Sequence, residues 1–150
     1  MAVKPNPMVD ALTSTMKINP DAYSPITSRN RVVSLGYALA GWLYMLRWQK
    51  NTRIQAVASI AVMGVALWLQ ISLIALAIII LAITVVWMAE FINAAVEAVV
   101  NLASPDVHPM AKVAKDVASA AVLLGVVAAV LIGLLLLGPP LLLKLGWITG

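Results

Sequence analysis

Apolar residues run almost unbroken over 54–102 and again over 117–137, whereas positions 1–53 and 103–116 carry most of the charge and several prolines. Neither long run alternates strictly as a half-buried strand would. Both read as helices, and a hydrocarbon layer needs about 20 helical residues to cross. The first run is interrupted by "LQIS" (69–72), which predicts a minimal turn between spans over about 54–69 and 71–102. The earlier of these is short, with Gln55 and Gln70 at its ends. The later is longer than the hydrocarbon requires, so its last turns, holding Glu97 and Asn101, are expected near the interface. A third span over 117–137 is expected to stop at Gly138-Pro139-Pro140, because proline cannot donate into a helix. Residues 138–150 are then a C-terminal tail resting on the far surface.

Ahead of the first span, residues 1–28 are rich in Pro, Ser, Thr and Asn and lack the apolar core of a cleaved signal. They predict a mostly disordered cytoplasmic tail. The segment 29–53, "RNRVVSLGYALAGWLYMLRWQKNTR", is basic at both ends, with Trp42, Tyr44 and Trp48 between. That arrangement predicts an amphipathic helix in the membrane interface, where rings sit at headgroup level and arginines reach phosphates. The plainer alternative is the cytoplasmic end of a longer spanning helix.

Composition agrees with this layout. Of 150 residues, 63% are hydrophobic and only 11% charged, too few charges to cover a soluble domain of this size. Mean hydropathy is +0.99. The chain reads as an all-α integral membrane protein. The absence of cysteine excludes disulfides and thiolate chemistry, and the single His108 excludes a histidine-rich metal site within one chain. A pI near 9.7 raises the question of nucleic acid. The placement of charge answers it, because seven of the ten Lys/Arg precede residue 54. This is the positive-inside distribution of a cytoplasmic N-terminal segment, and no nucleic-acid partner is expected. Three spans then put the 103–116 loop in the cytoplasm and the C-terminus outside.

The informative stretch is "AEFINAAVEAVVN" (89–101), which holds the only two glutamates of the chain. With Glu90 set at zero, Asn93, Glu97 and Asn101 fall within an arc of about 80° on a helical wheel. The residues between them are Ala, Val, Ile and Phe. A carboxylate facing lipid is costly, so the stripe must face protein or water. Three roles suit it: oxygen ligands for Mg²⁺, a general base acting on a lipid hydroxyl, or polar glue between helices. Lys112, Lys115 and Asp116 follow in the loop, close to where Glu97 and Asn101 emerge. They suit a polyphosphate, or equally serve as positive-inside lysines with Asp116 as a helix cap. No phosphate-cradling glycine motif and no nucleophile elbow occurs.

The segment "EFINAAVEAVVNLASPDVHPMAKVAKDVASAAVLL" resembles the signature region of the prokaryotic diacylglycerol kinase family, small trimeric membrane enzymes that include undecaprenol kinases. The matching positions are Glu90, Asn93, Glu97, Asn101, His108, Lys115, Asp116 and Ser119 to Val122, with "GYALAG" (36–41) and Arg53 upstream. The resemblance covers about 29–137 and implies a lipid kinase domain there. It implies a homotrimer at the bacterial inner membrane, built from a surface helix (29–53) and three spans, with its site at the cytoplasmic face. The activity implied is transfer of the ATP γ-phosphate to diacylglycerol, giving phosphatidate. The same resemblance gives Glu90 the role of general base and Glu97 that of Mg²⁺ ligand. Asn93 would orient the lipid or phosphate, while Lys115 and Asp116, with Arg53, would engage ATP.

Two positions depart from the family pattern. Gln49 stands where the family has a metal-binding glutamate, and Asn101 where it has an aspartate. Each exchanges an anion for a neutral amide, which implies weaker metal binding. Undecaprenol is the rival substrate, since "HPMAKVAKD" leans that way, whereas "GYALAG" and "SAAV" lean toward diacylglycerol. From other classes come a weakened or inactive family member acting as a lipid-binding scaffold, and a small ion-conducting assembly. The latter accounts for buried carboxylates but not for the Lys115-Asp116 cluster.

Overall fold

The computed structural model describes residues 30–104 and 108–147, all of whose regular elements are helices. The expected N-terminal tail, 1–28, lies outside the described residues. Four helices follow in order: α1 (Arg31–Trp48), α2 (Lys50–Trp68), α3 (Leu73–Ala103) and α4 (Pro109–Lys144). The chain divides into two compact units, one ending at Trp42 and the other beginning at Leu43. In the first unit, Asn30 starts α1 by accepting a hydrogen bond from the Val32 backbone N–H at 2.9 Å. The helix is less one-sided than an interfacial reading expects. Apolar residues ring it, with charge confined to Arg31 at its start and Arg47 in its last turn.

In the second unit the backbone breaks at Gln49, which is extended (φ −94°, ψ 113°), and α2 starts immediately afterwards. Basic Lys50 and Arg53 therefore belong to the first turn of α2 rather than to the end of a surface helix running to 53. "LQIS" forms the turn that the sequence predicts. Gln70 takes a left-handed conformation (φ 52°), which L-residues adopt at some cost, and Ser72 accepts from the Ala75 N–H at 3.2 Å to cap α3.

Helix α4 begins and ends elsewhere than expected. His108 is its cap, its Nδ1 accepting from the Met110 N–H at 3.2 Å, and Pro109 occupies the first turn. Proline is favoured there because its missing N–H would lack a helical partner anyway. Lys112, Lys115 and Asp116 consequently lie on the opening turns of α4, not in a loop, and Asp116 is not a cap. At the other end the helix runs through Gly138-Pro139-Pro140 to Lys144. Gly138 lacks the Cβ that clashes with a following proline ring, and an apolar environment penalises any exposed backbone that abandons the helix.

α3 and α4 form the main packing, α2 touching both more sparsely. Lys115 meets Asn101, and Gly125 meets Val86, so the pair is antiparallel. α4 turns Ala111, Ala114, Ala118, Val122, Gly125 and Ala129 to partly covered positions at helical spacing. Small residues of this kind let helices approach closely. The facing side of α3 carries Ile79, Val86 and Glu90, all buried. α2 is fastened to α3 through the Trp87 indole N–H, which donates to Ser59 Oγ at 3.1 Å. Two helices, α3 and α4, are long and apolar enough to cross a membrane.

A Cβ added at Gly125 meets Val86 Cα and Cγ2 at 3.8 Å, ordinary contact distance. Gly125→Ala should therefore leave unfolding in detergent almost unchanged. Gly125→Leu should push α3 and α4 apart and cost about 1–3 kcal/mol, the range for overpacked cores. Unfolding in sodium dodecyl sulfate followed by circular dichroism measures both; equal stability of the two variants would deny the close approach.

Candidate functional site

The polar stripe of α3 lies on the face that packs against the rest of the molecule. Glu90 is only 4% exposed, Asn93 and Glu97 are half-buried, and Asn101 reaches the surface. Burial thus falls steadily from Glu90 toward the end of the helix. Glu90 follows Val86 by one turn and Ile79 by three, so the stripe prolongs the apolar packing seam of α3.

Each stripe residue has a distinct surrounding. Asn51, in the first turn of α2, is the polar neighbour of the Glu90 carboxyl group and lines the same cleft. Asn93 Nδ2 points to Glu97 Oε1 at 3.5 Å, one turn along the same helix, while Asn93 Oδ1 is buried with no hydrogen-bond partner. Asn101 Oδ1 accepts from Lys115 Nζ at 2.7 Å, joining the end of α3 to the start of α4. Lys112 and Asp116 form an exposed ion pair on α4. Lys115 and Asp116, adjacent in sequence, are thus engaged by different partners.

Among the described residues, two further expected participants, Gln49 and Arg53, make no side-chain hydrogen bond with this cluster. Gln49 contributes through its backbone, its N–H donating to the Met45 carbonyl and its carbonyl accepting from Arg53. Arg53 is exposed on α2. Among the described residues no three His, Cys, Asp or Glu side chains come together as a metal cage. The donors near Glu97 are its carboxylate and the orphaned Asn93 oxygen, both hard oxygens. That set suits Mg²⁺, which commonly takes one or two carboxylates and leaves its other positions to water and substrate phosphates.

Sequence reasoning missed Asn51, Thr52 and the role of Gln55. Thr52 is wholly buried with its hydroxyl unpartnered, and the Gln55 Nε2 is buried and unpartnered too. Asn51 and Thr52 sit in a basic segment, "QKNTR", that reads as interfacial, and nothing in their local pattern announces a partner on α3. In the sequence Gln55 marks only one end of the first expected span.

An apolar cleft of about 650 Å³ opens between α2, α3 and α4. Asn51, Gln55 and Glu90 line it at one end, and Val65, Leu137 and Leu141 at the other. Between them the walls are Ile, Val, Ala, Leu and Gly, with Ser59 the additional hydroxyl. A buried carboxyl group with an apolar trough leading away from it can receive a molecule with a hydroxyl head and a hydrocarbon body.

Residues 36–137 match the family described as prokaryotic diacylglycerol kinase. The chain is 43% identical over 114 residues to a diacylglycerol kinase of Synechocystis, an alignment covering 75% of this chain and 65% of that protein, just under two thirds of its length. It is 37% identical over 95 residues to the undecaprenol kinase of Bacillus subtilis, covering 63% of this chain and 77% of the relative. With the diacylglycerol kinase of Escherichia coli it shares 34% identity over 85 residues, 57% of this chain and 70% of the relative. The matched region contains the whole stripe from Glu90 to Asn101 and both Lys115 and Asp116, and on that extent of likeness the chain belongs to the prokaryotic diacylglycerol kinase family.

Proposed function

We propose that the chain is a membrane lipid kinase that transfers the γ-phosphate of ATP to the free hydroxyl of diacylglycerol, giving phosphatidate and ADP. The observation that carries this reading is the buried Glu90, beside Asn51 at the polar end of an apolar cleft. Family membership and the names of the Synechocystis and Escherichia coli relatives support it.

In this scheme the lipid lies with its hydroxyl at Glu90. The carboxylate takes the hydroxyl proton while the oxygen attacks the γ-phosphorus. The new O–P bond forms as the bond to the β,γ-bridging oxygen breaks, and ADP leaves with that electron pair. Phosphoryl transfer depends mainly on positioning and charge neutralisation. Lys115 supplies positive charge near the phosphates. Its partner Asn101 is neutral, so the Lys115 charge is not cancelled by the contact that orients it. Asn93 fixes Glu97 and offers its free oxygen, and Asp116 and Arg53 engage the nucleotide from the flanks. Mg²⁺, when bound at Glu97 with help from Gln49, would neutralise phosphate oxygens shared with ATP.

The assembly in which this operates is proposed to be a homotrimer in the bacterial inner membrane. α2, α3 and α4 would be its spans, with the N-terminus and the site on the cytoplasmic side. The seven basic residues ahead of residue 54 support that orientation. Undecaprenol is the second reading, supported by the Bacillus subtilis relative. A weakened or inactive member is supported by the neutral amides at Gln49 and Asn101.

Initial rates in mixed micelles with Mg²⁺-ATP and either lipid test the scheme. Diacylglycerol should turn over well above a Glu90→Gln control, whose kcat should fall by about 10²–10⁴, the usual contribution of a general base. A Glu90→Gln protein that assembles normally and keeps its rate would remove Glu90 from catalysis. Lys115→Ala should raise KM for ATP by about 10–100-fold, the weight of a charge-assisted contact, with little change in KM for lipid. Gln49→Glu should lower the Mg²⁺ concentration giving half-maximal rate. An unchanged Mg²⁺ dependence would exclude position 49 from the metal site.

A further inference from the structure

The region that matches the family ends at residue 137, yet α4 continues without a break to Lys144. Gly138 and Leu141 of this continuation line the cleft at the end remote from Glu90. One turn beyond Leu141, Lys144 Nζ donates to the Trp68 carbonyl at 2.6 Å, with its ammonium 4.3 Å from the Trp68 ring centroid. The contact satisfies a carbonyl that the end of α2 leaves without a helical donor, and adds a cation–π attraction. It fastens the last turn of α2 to the last turn of α4, just past Val65 and Leu141. The cleft therefore has a defined bottom. Along α2 its lining extends from Asn51 to Val65, about 21 Å at the helical rise.

The chemistry of the trough points to its occupant. Its upper end holds a buried carboxyl group and the Gln55 Nε2, a buried donor that lacks an acceptor. Below them the walls are aliphatic. An oxygen-bearing head satisfies the first and a hydrocarbon tail the second, which is the chemistry of a lipid alcohol. We propose that residues 138–144 are the floor of this cleft and set the length of hydrocarbon chain it accepts. Leu141 meets the end of the chain, and the Lys144–Trp68 contact keeps the floor in place. The identity of the occupant rests on the lipid kinase reading, whereas the existence of a floor does not.

The test uses the full chain in detergent micelles and diacylglycerols with saturated tails of graded length. Binding is read by native mass spectrometry and phosphorylation by initial rate. Affinity of the unaltered protein should rise with tail length and then level off where the tail meets Leu141. Leu141→Trp should move that break to shorter tails, each excluded methylene forfeiting about fourfold in affinity. Leu141→Ala should move it to longer ones, which keeps the test decisive should the tryptophan variant not fold. Lys144→Met should blur the break without altering affinity for the shortest tails. A break at the same length in both Leu141 variants, or a uniform loss at all lengths, overturns the floor. Binding breaks that shift in a protein that phosphorylates no lipid would remove the kinase reading and leave the floor standing. Phosphorylation with an immovable break would do the reverse.

Discussion

Placing the Glu90 carboxyl group inside an apolar bundle constrains everything around it, because such a group must be given partners or a polar cavity. Its polar neighbour is Asn51, in the first turn of α2, so the start of that helix sits beside the middle of α3. The break at Gln49 makes this placement feasible. It lets α2 begin with Lys50, bury Thr52 within its first turn and set Asn51 on the cleft. In the proposed transfer to a lipid hydroxyl, this buried carboxyl group is the base.

Close packing of α3 on α4 has an indirect effect on the site. Alanine and glycine on α4 draw these two helices together, while α2 is held by a few polar points: Asn51, Ser59 and the Trp68 carbonyl. Between those points α2 stands off, and the space left is the cleft. A bundle packed equally tightly on all sides would have no room for a lipid beside Glu90. The buried Gln55 Nε2, on the wall of that cleft, lacks a hydrogen-bond partner.

How much of this the sequence revealed depended on range. The stripe from Glu90 to Asn101 could be read because it repeats at the period of a single helix, and the turn at "LQIS" because polar residues interrupt a long apolar run. Asn51 could not, since its significance comes from a residue 39 positions later and no local pattern encodes it. Proline misled in both directions. Pro109 reads as part of a loop although it suits a first turn, a reading that displaces Lys112, Lys115 and Asp116 from their helix. Pro139 and Pro140 read as a stop although the helix passes through them. In each case the surroundings of the proline, His108 as a cap and Gly138 ahead of the ring, decided the outcome.

The short turn between α2 and α3 bears on how the chain enters its membrane. α2 has 19 residues but carries Lys50, Asn51, Arg53 and Gln55, so it is less apolar than a freestanding span requires, whereas α3 has 31 residues and is long and apolar enough. Only four residues separate them, 69–72, with the backbone folded back by the left-handed Gln70. In the proposed three-span arrangement the weak segment enters as one arm of a hairpin, its partition into lipid favoured by the strong one. Asn51, Thr52 and Gln55, too polar for a segment selected alone, become admissible because they travel in that company.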